Sequence, residues 1–153
     1  TGVQTCALPI LASGTWVSVG PLRARFVGIC APLVRDVVIA GINRDELTAI
    51  VILDLDGCRL INPALASGDI AAAANDPLVR AAFRERFARV LASATGSSNR
   101  IARAILLDAP LSIDRGEVTD KGSINQRAVL EHRTDIIDAL YAPVPPASVI
   151  TSI

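Results

Sequence analysis

Asp36-Val37-Val38-Ile39-Ala40-Gly41-Ile42 and Leu47-Thr48-Ala49-Ile50-Val51-Ile52-Leu53-Asp54-Leu55 are the two stretches whose reading decides the fold. Both are rich in β-branched residues, whose stiff side chains suit a pleated surface. Asn43-Arg44-Asp45-Glu46 lies between them and carries turn chemistry, so the pair reads as an antiparallel hairpin. Ile101 to Leu107 is a third core strand of the same character. Upstream, Gly20-Pro21 opens a helix, because proline in the first turn loses no hydrogen bond. Leu22, Phe26, Cys30 and Leu33 then recur at helical spacing as its buried stripe. Downstream, Asp76 is an N-cap and Pro77 the first residue of a second helix. Val79, Phe83, Phe87 and Val90 form its apolar face, and Glu85 and Arg89 pair one turn apart on the other side.

The remaining segments fill in around this frame. Residues 56–75 are broken by Asn62-Pro63 and Ser67-Gly68-Asp69, which predicts short helical turns around an irregular connection. Residues 111–122 are polar and loop-like. Ser123-Ile124-Asn125-Gln126 has the form of a capping box with Ser123 as N-cap, opening one helix that runs to about Tyr141. Val129, Leu130, Ile136, Ile137 and Leu140 are its inward residues. Ser13-Gly14-Thr15 is a turn signal before the alternating Trp16-Val17-Ser18-Val19, which predicts an N-terminal hairpin or an extended loop returning as a strand. The fold class expected is α+β, a small, mainly antiparallel sheet with packed helices plus that hairpin. Residues 1–10 match the translation of a sequencing-library adapter and are set aside from the fold as an artefact. That leaves one domain at 11–141 and a loose tail at 142–153.

Bulk properties narrow the function classes. With 153 residues, 51% apolar and 20% charged, the chain is long and apolar enough to bury a core. Its formal net charge of zero gives no basic excess for nucleic acid or an anionic membrane surface. No apolar run is long enough to span a bilayer. Cys6, Cys30 and Cys58 show no zinc spacing and no redox pair, and an odd count suits a reducing cytoplasm.

The common catalytic constellations are missing. The single histidine, His132, falls inside the last helix with no oriented partner in reach of sequence reasoning, and reads as a surface residue. Asp54 and Asp56 mark a solvated turn at a strand end. Lys121 stands out because the other basic residues are arginines. It sits in Gly116-Glu117-Val118-Thr119-Asp120-Lys121-Gly122-Ser123-Ile124-Asn125-Gln126-Arg127-Ala128-Val129-Leu130, on a glycine-containing loop against a helix start. A mobile ammonium beside free backbone N–H groups suits a carboxylate or phosphate. On the residues alone, an ordinary solvent-exposed loop lysine fits the same pattern.

That segment and Leu11-Ala12-Ser13-Gly14-Thr15-Trp16-Val17-Ser18-Val19-Gly20-Pro21-Leu22-Arg23 together resemble the C-terminal domain of the adenylate-forming superfamily. Gly14, Val17 and Gly20 fall on the glycine, valine and glycine of the family's hairpin after the interdomain hinge. Gly116 to Leu130 resembles its terminal lysine motif, and the wording of both is similar to feruloyl-CoA synthetases. The resemblance covers residues 11–141. In most of the superfamily the lysine directly follows the glycine, whereas here Lys121 precedes Gly122.

The resemblance implies a lid fragment of an AMP-forming carboxylate-CoA ligase acting on ferulate or a related hydroxycinnamate. Lys121 would be catalytic in adenylate formation, and Ser13, Gly14, Thr15 and Trp16 would line the path of the CoA arm. Trp16 is equally suited to a place in the small domain's own core. ATP, Mg²⁺ and CoA would be bound mostly by an N-terminal adenylation domain, the lid's partner alongside a small-molecule carboxylate. Without that domain the fragment would be inactive. The alternative from a different class is a non-enzymatic α+β ligand-binding or regulatory module.

Overall fold

The computed structural model describes residues 19–41, 44–94 and 100–151. Helix α1 (Val19–Cys30) leads into strands β1 (Val34–Ala40) and β2 (Leu47–Leu53). Next come α2 (Leu55–Ile61), a 3-10 turn (Pro63–Ser67), α3 (Ile70–Asn75) and α4 (Pro77–Ala92). Strand β3 (Ile101–Leu106), a long loop, α5 (Gln126–His132), α6 (Thr134–Leu140) and β4 (Val149–Thr151) complete the chain. The four strands form one sheet in the order β1-β2-β3-β4. β1 and β2 pair antiparallel, as do β3 and β4, while β2 and β3 run parallel. The fold is thus α+β with a mostly antiparallel sheet.

Helices cover both faces of the sheet. Val37, Ile39, Ala49, Val51, Ala104 and Leu106 meet α1 and α4 in the larger core. Its centre holds all three phenylalanines, with Phe26 6.2 Å from Phe83 and from Phe87, and Phe83 stacked 5.6 Å from Phe87. Val38, Ile50, Ile52 and Val149 face the other way and pack with Val129 of α5 and Leu140 of α6. Every residue of β2 is buried, which is why its sequence reads as an apolar run interrupted only by Thr48 instead of an alternation.

Local chemistry sets the joints. Asp76 caps α4 by accepting from Val79 N at 3.0 Å, as its sequence implies. Asp54, expected in a solvated turn, caps α2 by accepting from Gly57 N at 3.1 Å. Gly57 lets α2 lie against the loop between α1 and β1: a Cβ there would sit 1.8 Å from the Pro32 carbonyl oxygen. Cys30 and Cys58 are buried free thiols. Burial pushes Cys30 up to about 12 and Cys58 up to about 11, so both behave as apolar filler.

The structure corrects four expectations. The single helix ending near Tyr141 is two, because the backbone breaks at Arg133 (φ −119°, ψ 48°), whose side chain is drawn into the neighbouring loop. Its N-cap is Asn125, not Ser123: Asn125 Oδ1 accepts from Ala128 N at 3.2 Å. Gln126 is therefore freed from capping and used elsewhere. The C-terminal stretch is not wholly loose, since Val149 and Ile150 are buried and β4 pairs along β3. Helix α1 already includes Val19, a residue whose alternation with Val17 suggests a strand. The expected N-terminal hairpin, with Ser13, Gly14, Thr15 and Trp16, lies outside the described residues, as does Cys6 of the set-aside stretch.

Candidate functional site

Lys121 is exposed at the tip of a tight hairpin within the loop between β3 and α5. Val118 and Ile124 form an antiparallel bridge, and Thr119 N donates to Ser123 O at 2.9 Å. Gly122 N returns to Thr119 O at 2.9 Å, and Ser123 N donates to Thr119 Oγ1 at 3.1 Å. This is a four-residue turn closed by a residue in the left-handed region, which Gly122 occupies at φ +86°. Glycine is required after Lys121 by backbone geometry. Among the described residues the Lys121 ammonium enters no ion pair and no hydrogen bond, so the turn projects an unneutralised charge.

Arg35 ties this turn to β1 directly, while Arg23 and Gln126 brace the strand on either side of that contact. A β-bulge between Val34 and Asp36 re-aims Arg35, whose Nη2 donates to Gly122 O at 3.3 Å. Next to it, Arg23 forks onto Asp36 at 2.7 and 3.3 Å and ties α1 to the bulge. Gln126 lies along the open edge of β1: its Nε2 donates to Val37 O at 3.0 Å and its Oε1 accepts from Ile39 N at 3.2 Å. It thereby imitates one residue of a fifth strand.

Beneath the turn is Glu117, one of only two polar residues among the described buried set and fully enclosed. Its carboxylate accepts from Arg133 Nε at 2.9 Å and Nη2 at 2.8 Å, and from Ser112 N at 2.9 Å. Burial alone would raise the Glu117 carboxyl. The Arg133 and Ser112 hydrogen bonds, with the charges of Arg133 and His132, outweigh it and hold the group below its ordinary value. Glu117 is therefore a fixed anion. His132 itself is exposed at the end of α5, as the sequence suggests. Beside the turn an open groove of about 580 Å³ runs past Arg35, Leu55, Ile70, Leu107, Leu111 and Val118.

Sequence reasoning singles out Lys121, which the structure places exposed on the turn, and gives no sign of Glu117, Arg133 or Arg35 around it. Glu117 and Arg133 are 16 residues apart, and no local spacing announces a pair across a loop. Gln126 was visible as a polar residue at a helix start, but its partners lie 87 and 89 residues away. Among the described residues no group of three or more His, Cys, Asp or Glu side chains is placed to hold a metal ion. Among them, too, no helix is long and apolar enough to cross a membrane.

Known structures share this fold. The adenylation domain of a carboxylate reductase from Mycobacterium chelonae superposes with a TM-score of 0.62 at 24% identity, over 88% of this chain and 19% of that one. The A domain of a carboxylic acid reductase from Segniliparus rugosus, in complex with AMP and a co-purified carboxylic acid, gives 0.60 at 22% identity, over 88% and 20%. The A-PCP didomain of carboxylic acid reductase from Segniliparus rugosus, in complex with AMP, gives 0.60 at 23% identity, over 88% and 17%. The chain spans about a fifth of the length of these proteins, and at such identities the likeness establishes the fold. No family model matches the sequence, and no curated protein matches it.

Proposed function

We propose that this chain is the C-terminal lid of an ATP-dependent, AMP-forming carboxylate ligase, and that Lys121 is its catalytic contribution to adenylate formation. The observation that carries the reading is an exposed, unpaired ammonium on a braced turn, in a fold shared with adenylation domains. In the first half-reaction a carboxylate oxygen attacks the α-phosphorus of ATP and pyrophosphate leaves. Two anions must meet, and a positive charge delivered to that point lowers the barrier by electrostatic stabilisation. In the second half-reaction a thiol attacks the acyl carbonyl and AMP leaves. Ser13, Gly14, Thr15 and Trp16 would then line the thiol's approach after the lid swings about its hinge.

The described residues offer no acidic cluster for Mg²⁺. In this reading the metal, ATP and the acid are held by a larger N-terminal adenylation domain, while this chain supplies Lys121. The wording of the two motifs favours CoA as the thiol and a hydroxycinnamate such as ferulate as the acid. A second reading, favoured by the three structural neighbours, is the adenylation domain of a carboxylic acid reductase. Formation of a free CoA thioester by the full-length enzyme separates the two.

Lys121→Ala tests the assignment in the full-length enzyme. Adenylate formation is expected to fall by about a hundredfold, the scale of losing one transition-state charge contact. Thioester formation from supplied acyl-adenylate should stay near the starting rate. Equal losses in both half-reactions would overturn the role given to Lys121.

A further inference from the structure

We propose that Glu117, acting through Arg133, is a positioning residue that fixes the turn carrying Lys121. This inference rests on the function proposed for that lysine. The geometry makes Glu117 the base of the hairpin. Its carbonyl accepts from Asn125 N at 2.8 Å, directly below the Val118–Ile124 bridge, so it joins both arms. Its N–H donates to Ser112 O at 3.0 Å, while its carboxylate receives Ser112 N, so the outer loop is held from two sides. The Arg133 fork carries these constraints to the junction of α5 and α6. Arg133 Nη2 also donates to Pro110 O at 3.2 Å, where the loop begins.

A buried ion pair is a poor way to gain stability, because desolvation offsets most of the attraction. An apolar pair would fill the same space. What the fork adds is direction: two parallel N–H···O bonds fix the carboxylate, and with it the backbone, in one orientation. A lysine side chain is long and flexible, so the accuracy with which its ammonium is delivered depends on how firmly its Cα is held. Glu117 is fully enclosed and therefore touches no substrate; it acts through the turn.

Two variants and two readouts test this. Glu117→Gln keeps the shape and removes the charge; Arg133→Lys keeps the charge and removes the fork. In this chain, hydrogen exchange at the Thr119 and Asn125 amides, which close the hairpin, should accelerate about tenfold in both variants, with β2 amides unchanged. Wild-type exchange at those amides in both variants would overturn the inference. In the full-length enzyme, Glu117→Gln should lower kcat for adenylate formation about tenfold with KM for ATP near the parent value. It should add no further loss in a Lys121→Ala background, because both act through one group. A further loss there would refute positioning. Undiminished adenylate formation in Lys121→Ala alone would instead sink the lysine assignment and the catalytic half of this proposal, while the amide result still decides whether Glu117 holds the turn.

Discussion

In the proposed site Glu117 holds the turn that carries Lys121, and its own charge makes that hold sensitive to pH. The Glu117 carboxyl is held below its ordinary value in the folded chain, so its contribution to stability is complete above the unfolded value, roughly 4.3. That contribution is lost as pH falls through the lower, folded value. The urea midpoint should therefore drop as the solution is acidified below about pH 4. Glu117→Gln should remove part of that slope; an unchanged acid slope would show that other carboxylates dominate. The groups facing Glu117 are Arg133 and His132, and Asp114 and Arg115 of the same loop are exposed. Lys121 was legible because composition isolates it and a glycine follows it. Glu117 was not, since a single acid in a polar loop looks like any solvated residue until the chain is folded around it.

At the scale of elements, the sequence told most where local chemistry decides. Asp76-Pro77 gives the start of α4, and the apolar spacing of Val79, Phe83, Phe87 and Val90 gives its buried face. It told least where a distant partner decides. The break between α5 and α6 comes from Arg133 reaching Glu117, and the cap moved from Ser123 to Asn125 as Gln126 went to the β1 edge. The three residues of β4 are too few to carry a periodic signal, and they gain their order from the open side of β3. Gly57 is the sharpest element-level constraint. Gly57→Ala places a methyl group against backbone, which cannot yield as a side chain does, and should cost ~3 kcal/mol. Chemical denaturation measures it, and a loss within experimental error would mean that α2 shifts freely on the Pro32 segment.

Over the whole molecule, the α+β class followed from the two apolar runs, whereas the parallel pairing of β2 with β3 did not, because the intervening helices had no readable path. The sheet separates two cores, one holding the phenylalanine triad and the other bearing α5 and α6. Phe83→Ala should cost ~4 kcal/mol as a cavity in the larger core. Glu117→Gln shares no packing partner with it, so the double variant should lose the sum of the two within about 0.5 kcal/mol. Strong coupling in urea denaturation would show that the sheet transmits strain between its sides.

The fully buried central strand therefore acts as a bulkhead. Substitutions that retune the lysine hairpin can accumulate on one side while the aromatic ballast on the other keeps the domain afloat, giving that hairpin room to vary without first having to change the fold.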